Sequence, residues 1–457
     1  MRPLEIFSII SIGVTVYLLL FKKKENIFLS SLFFSIILTI LQYFLEGARW
    51  QFNFAIFLLP VIYFRFKILN FSRNLLFDVF ISLWFLLALL IPILIPVFNL
   101  PQPEGDYNVG TETFHWIDSS RTEWFTVEDR TDFRNLVIQT WYPGIPTEKL
   151  KQELYLDNID LRSTTMASAG DIPSFFPRHL KYVYGNSYKN IETATLPKKL
   201  PILIFSHGIT SSRSLHQSLF ESLSSRGYVI FALNHSYDAN LTIFPNNMIA
   251  DYRSDLGGNP DSLNLRKKQM KTRALDIVFL LDQIKKIQSN KIESRLNNLL
   301  NTDKIGIAGH SYGGATAILA SRIDKRIKSC LVLDGWLSPL PDSVINSGLD
   351  IPLFFAGRTS WEDSDYPDNY SNLKIIISHS SKAKYNTYIK NSLHLDFTDI
   401  PLFSPIIRYV MDVGDNPPET SISLVNDLTF LFLEQHLLKK ENINLDKFLK
   451  KDLFILN

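Results

Sequence analysis

Hydrophobic and polar positions divide the chain near residue 100. Before it, uncharged apolar runs dominate: Ile6 to Phe21, Asn26 to Leu45 and Val79 to Phe98, with a shorter run from Trp50 to Phe64 that is followed by Arg65 and Lys67. A helix rising about 1.5 Å per residue needs roughly 20 residues to cross about 30 Å of hydrocarbon. Two runs meet that length and the first is slightly short. The Trp50 run fits if Arg65 and Lys67 snorkel to the interface. The pattern predicts four transmembrane helices, at 4–21, 27–45, 50–69 and 76–98, with three helices and a re-entrant segment as the rival arrangement. A cleaved signal peptide does not fit, because Lys22-Lys23-Lys24-Glu25 follows the first run without a small-residue cleavage pattern.

After residue 100 the texture changes. Pro92, Pro96, Pro101 and Pro103 mark a stiff exit from the last apolar run. The stretch from Asn108 to Pro143 alternates polar and apolar residues, as in TFHWID and LVIQTWYP, which predicts antiparallel strands at a sheet edge. Further on, short apolar runs predict strands at 200–205, 228–233, 304–308, 330–333, 351–355 and 373–377. Helical spacing appears at 214–226, 264–287, 313–322 and 420–438. Strands alternating with helices predict an α/β domain over 100–457, with a mostly parallel sheet covered on both faces, behind an all-α membrane block over 1–99. The loops at 145–195 and 238–263 have no clear period and are candidates for a lid.

Charge and composition narrow the functional classes. The net charge is +2, which offers no large basic surface for nucleic acid. One cysteine, Cys330, excludes an intramolecular disulfide and a cysteine-rich metal site. Lys22, Lys23 and Lys24 lie between the first two runs, and Arg65, Lys67 and Arg73 between the last two. The positive-inside rule puts these loops in the cytoplasm, although Arg2 points the other way. Everything after residue 100 then faces outward, as in a multi-pass cell-membrane protein with an extracytoplasmic domain. Glu46 and Arg49, in the middle loop, read as an interfacial ion pair, and the helices are expected to hold no buried charge pair of the kind that marks a transport path.

The candidate chemistry centres on AGHSYGG, residues 308–314. Ser311 sits between a predicted strand, KIGIA, and a helix start, GATAILAS, the setting of a nucleophile elbow. Gly309 and Gly313 suit the tight turn. A serine hydroxyl needs a base, and the base an orienting acid, in the chain order Ser, acid, His. Of His379, His394 and His436, His394 in SLHLDF lies in the loop where the base belongs. Asp334 ends a strand in LVLDGW; Glu362, Asp363 and Asp365 follow the next strand and remain alternatives. Backbone N–H groups of Tyr312 and Ile209 are the expected oxyanion donors, with Gly208 in FSHGIT letting the backbone pass close to substrate. His207 is out of order for a base and reads as a shaper of that loop.

FSHGIT (205–210), ALNHSYDA (232–239), AGHSYGGATA (308–317), LVLDGWLSPL (331–340) and SLHLDF (392–397) together resemble the platelet-activating factor acetylhydrolase family of α/β-hydrolases, in its plasma-type and bacterial form. The likeness covers roughly residues 100–437. It implies an α/β-hydrolase fold and a calcium-independent serine esterase or lipase with no metal or cofactor. It also implies Ser311 as nucleophile, His394 as base and Asp334 as acid. The implied substrates are phospholipids with short or oxidised sn-2 chains and other small esters. The animal enzymes lack the four-helix block. Where the family has an acidic motif after its second core strand, this chain has Asn234-His235-Ser236-Tyr237-Asp238, which leaves that loop's role open. Two other roles compete: a degenerate domain acting as a membrane-linked binding or sensor module, and an acyltransferase using the same acyl-enzyme.

Overall fold

A computed structural model describes residues 1–456 apart from 23, 146–149, 197, 256–258, 260, 363 and 365. Lys23 and two of the alternative acids, Asp363 and Asp365, therefore lie outside the described residues. The chain forms two compact units. The first holds Met1–Asn99, Leu156–Val183 and Phe403–Ile407; the second holds Leu100–Tyr155, Tyr184–Leu402 and Arg408–Asn457.

The first unit is built on α1 (Pro3–Tyr17), α2 (Glu25–Leu45), α3 (Asn53–Leu69) and α4 (Leu75–Leu94). With their flanking turns, four helices among the described residues are long and apolar enough to cross a membrane, over Pro3–Lys22, Glu25–Leu45, Trp50–Leu69 and Leu75–Leu94. The last stops at Leu94 rather than 98. Ile95 precedes Pro96, whose ring disfavours a helical residue before it, and Ile95 is non-helical, with φ −124° and ψ 75°. Hydroxyl pairs join α1 to α2, with Ser11 and Ser35 2.7 Å apart and Thr15 and Ser31 2.8 Å apart. Small polar residues of this kind let apolar helices pack closely.

The structure corrects two charge expectations. Arg49 does not pair with Glu46. Its Nε and Nη2 both donate to Glu5, each at 2.7 Å, and both side chains are fully buried. A buried charge pair thus exists where none was expected, and its members lie 44 positions apart in sequence. Glu46 instead faces Arg2 at 3.8 Å. Arg65 is buried, 2.8 Å from Asp78 on α4, and donates to the carbonyls of Asn70 and Ser72 at the end of α3. The segment 156–183, which carries α5 (Ile159–Ala169), docks on the α2–α3 connection. Trp50 donates to the Phe176 carbonyl at 3.1 Å, and the Tyr182 hydroxyl to the Ala48 carbonyl at 2.6 Å.

The second unit is a sheet with helices on both faces. Its first strands are β1 (Asn108–Thr122), β2 (Phe133–Gly144), β3 (Gln152–Leu154), β4 (Tyr184–Lys189), β5 (Leu200–Ser206) and β6 (Val229–Asn234). Then come β7 (Leu241–Ile243) and β8 (Ile249–Asp251), which form a separate hairpin inside the 238–263 loop. The remainder are β9 (Leu300–His310), β10 (Ile327–Leu333), β11 (Leu353–Gly357), β12 (Lys384–Ile389) and β13 (Phe454–Leu456). The main sheet runs in the order β13-β12-β11-β10-β9-β5-β6-β2-β1-β4-β3. The stretch from β12 to β6 is parallel, and β1, β2 and β13 pair antiparallel with neighbours. The β1–β2 hairpin is not the edge expected of it, because β4 and β3 continue the sheet beyond β1.

Alternate residues of β5 feed the two cores. Ile202 and Ile204 join Met270, Ala274, Ile277 and Ile284 of α7 (Ser262–Gln288), while Leu203 and Phe205 join Phe220 and Leu223 of α6 (Gln217–Ser225) on the opposite face. The remaining α-helices among the described residues are α8 (Tyr312–Ile323), α9 (Asp342–Ile345), α10 (Asn369–His379), α11 (Pro418–Phe432) and α12 (Leu445–Leu449). The strand expected at 373–377 is part of α10. Its run of isoleucines mimics a strand, yet Leu373 and Ile376 are buried while Lys374 and Ile375 are exposed, a helical period. The strand that pairs with β11 is β12.

Candidate active site

The sheet's central strands carry three of the expected groups to one edge. Gly208 follows β5, Ser311 follows β9 and Asp334 follows β10, and these strands are neighbours. Such carboxyl-end edges are where open parallel sheets bind ligands. Ser311 has φ 56° and ψ −125°, a conformation L-residues avoid. The surrounding backbone holds it there. Ser311 N–H donates to the Leu333 carbonyl at 3.0 Å, and its own carbonyl accepts from Gly314 at 2.9 Å and Trp336 at 3.0 Å. The flanking glycines are steric necessities. A Cβ on Gly309 would lie 2.2 Å from the Gly313 oxygen, and one on Gly313 would lie 2.0 Å from the Ser206 oxygen.

The turn after β5 folds over the serine, so that a Cβ on Gly208 would lie 3.2 Å from that of Ser311. Among the described residues, no acceptor takes the N–H of Ile209 or of Tyr312. Tyr312 is also the first residue of α8, whose amino end favours negative charge.

Asp334 is completely buried, and its Oδ2 accepts from His394 Nδ1 at 2.6 Å. A carboxylate only accepts, so that bond places the proton on Nδ1 and leaves Nε2 as the basic nitrogen. Oδ1 of Asp334 accepts from the Arg358 amide at 3.0 Å and the Trp361 indole at 3.1 Å. Arg358 also reaches Asp412 at 3.1 Å, and Asp412 accepts from the His394 amide at 3.3 Å. His310, beside Ser311, lies against His394 with ring centroids 4.6 Å apart at 35°, and donates to its carbonyl at 2.9 Å. Of the other acids that were open, Glu362 is exposed. His379 ends α10 in solvent, and His436 bonds Tyr385 at 2.9 Å.

The Asn234–Asp238 loop, whose role was open, belongs to a buried polar network under the Ser206–Gly208 turn. His235 bridges Ser206 at 3.0 Å and Asp276 at 2.9 Å, and Asp276 forms a two-pronged pair with Arg134 at 2.7 and 3.0 Å. Arg273 donates to the His207 carbonyl and sits 5.0 Å from the Tyr312 ring centre. Burial, with the Arg273 charge, lowers His235 to about 3 and holds His207 well below the ordinary histidine value. His207 is thus a neutral structural group, in line with its place in the chain order. Arg134, Arg273 and Asp276 carried no local motif. Arg358 and Trp361, next to the acidic residues that follow β11, carried none either.

A mostly parallel, helix-covered sheet with a serine elbow, an Asp–His pair and a glycine turn at its carboxyl edge defines the α/β-hydrolase class. Known proteins agree with that class. The sequence profile of the family described as platelet-activating factor acetylhydrolase, isoform II, matches residues 95–452. The chain belongs to that family. It is 28% identical over 261 residues to the platelet-activating factor acetylhydrolase of Canis lupus familiaris, a match that covers 52% of this chain and 58% of that protein. The enzyme of the same name from Cavia porcellus is 26% identical over 368 residues, covering 74% and 78%. Among solved structures, a ferulic acid esterase from Streptomyces cinnamoneus superposes with a TM-score of 0.63 at 23% identity, over 79% of this chain and 99% of that one, a likeness of fold.

Proposed function

We propose that the protein is a membrane-anchored serine esterase that cleaves carboxylic esters through an acyl-enzyme on Ser311. The observation that carries this reading is the 2.6 Å Asp334–His394 bond at the same sheet edge as a strained Ser311 flanked by the unpaired amides of Ile209 and Tyr312. In the first step His394 Nε2 takes the hydroxyl proton and Ser311 Oγ bonds the ester carbonyl carbon. The carbonyl oxygen becomes an oxyanion held by the two amides, and Asp334 stabilises the imidazolium. Collapse expels the alcohol, which leaves with the proton from His394. Water then repeats the sequence on the acyl-enzyme, releasing the acid and restoring Ser311.

The family, and a relative from Arthroderma benhamiae described as a probable 1-alkyl-2-acetylglycerophosphocholine esterase, support phospholipids with a short sn-2 chain such as acetyl as substrates, and the reading extends to oxidised sn-2 chains. The four apolar helices support bilayer anchoring, with the second unit outside the cell by the positive-inside rule. The test is hydrolysis of p-nitrophenyl acetate by the full chain in detergent beside Ser311→Ala, with and without an added alcohol acceptor. Release of acetate that vanishes in the variant supports the esterase. Acetyl transfer to the alcohol in place of acetate release would make it an acyltransferase. A folded parent that neither hydrolyses ester nor takes a fluorophosphonate at Ser311 would leave a binding module.

A further inference from the structure

One side chain outside the expected triad touches both of its charged members. Trp361 is 5% exposed; its Nε1–H donates to Asp334 Oδ1 at 3.1 Å, and its ring meets the His394 ring edge-on, with centroids 5.5 Å apart at 82°. Arg358 covers the indole, its guanidinium carbon 4.3 Å from the ring centre. We propose that Trp361 is a positioning residue that sets how tightly His394 holds its second proton, acting through Asp334. The inference rests on the esterase reading above, in which His394 takes the proton of Ser311.

The physical case has three parts. Asp334 is fully buried, so its charge is shared only among the donors that touch it. Oδ1 has the Arg358 amide and the Trp361 indole, and Oδ2 has His394, with Arg358 Nε at 3.5 Å. Charge drawn to Oδ1 is charge withheld from the His394 bond, so the indole N–H weakens the grip of the carboxylate on the imidazolium. The two Oδ1 donors also fix the carboxylate rotation that aims Oδ2 at Nδ1. Finally, the ring seals one side of the Asp–His bond from water, which keeps the site's dielectric low and the coupling strong.

Removing only the N–H should therefore make His394 harder to free of its proton, without dismantling the site. The test uses the full chain in detergent and the rate of fluorophosphonate labelling at Ser311 across pH 5–9. The samples are the parent, Ser311→Ala, Trp361→Phe, and the protein carrying 3-benzothienylalanine at 361, which swaps N–H for sulfur in the same bicyclic frame. The expected result is an acid limb moved up by about half to one pH unit in both 361 variants, with high-pH rates within about tenfold of the parent. The benzothienyl protein keeps the measurement decisive if Trp361→Phe fails to fold. A purely structural role would lower the labelled fraction at every pH with an unmoved midpoint, and that outcome in the benzothienyl protein overturns the inference while the esterase reading stands. A parent labelled no better than Ser311→Ala removes both.

Discussion

The strain at Ser311 makes a quantitative prediction: replacing it with glycine should stabilise the protein while replacing it with alanine should not. Ser311 is held at φ 56°, ψ −125°. A non-glycine residue there costs on the order of 1–3 kcal/mol. Alanine keeps the Cβ and hence the strain, whereas glycine has none. Glycine in turn loses roughly 0.5–1 kcal/mol more backbone entropy on folding. The net gain of Ser311→Gly over Ser311→Ala is therefore about 1 kcal/mol, within a range of about 0–2.5 kcal/mol. For a unit of this size that corresponds to a rise of about 1–4 °C in melting midpoint. Cys330 supplies the assay. It is the chain's one cysteine and is buried in β10, so a thiol-reactive dye brightens only as the central sheet opens. Both variants should lack esterase activity. If Ser311→Gly melts at or below Ser311→Ala, the conformation carries no strain and the elbow argument fails.

Two further outcomes follow from buried charges. Asp399 caps the start of α6, accepting from the Gln217 amide at 2.7 Å and from the Ser218 hydroxyl, yet burial pushes it up to about 7 against the ordinary carboxylate value, with Glu221 adding repulsion. The folded form thus holds a proton that the unfolded chain has released, so stability falls as pH rises from about 4 through 7. Asp399→Asn keeps the cap and removes the titration. Its melting curve by circular dichroism should gain on the parent between pH 5 and 8, and parallel curves would refute the assignment. In the helical unit, Glu5→Gln strands Arg49 and should cost about 3–5 kcal/mol, while Glu5→Met with Arg49→Met should recover most of it. Unfolding of the bundle in mixed detergent–SDS micelles reads this, and an unchanged midpoint in Glu5→Gln would show that the pair contributes nothing.

Local pattern determined a great deal about this protein. The apolar runs were legible because a helix long and apolar enough to cross hydrocarbon shows that length and composition along its own sequence. Gly309-x-Ser311-x-Gly313 was legible because the turn excludes side chains at its glycines, and β5, β9 and β10 because buried parallel strands are short apolar runs. Asp334 was less so. Several carboxylates had similar chain positions, and what singles out this one is that it meets His394 across 60 positions of sequence. The same holds for Trp361, for the Arg134–Asp276–His235 network, and for Glu5 with Arg49. A buried charge is tolerable only beside its counter-charge, and which side chain supplies it depends on where helices and strands from distant parts of the chain come to rest. The isoleucines of α10 fail for a related reason, since strand and helix patterns coincide in a short apolar run until packing chooses a face. Periodicity and turn chemistry act over a few residues and are written in the sequence itself; partnership among buried polar groups acts across the fold, and only the tertiary structure decides it.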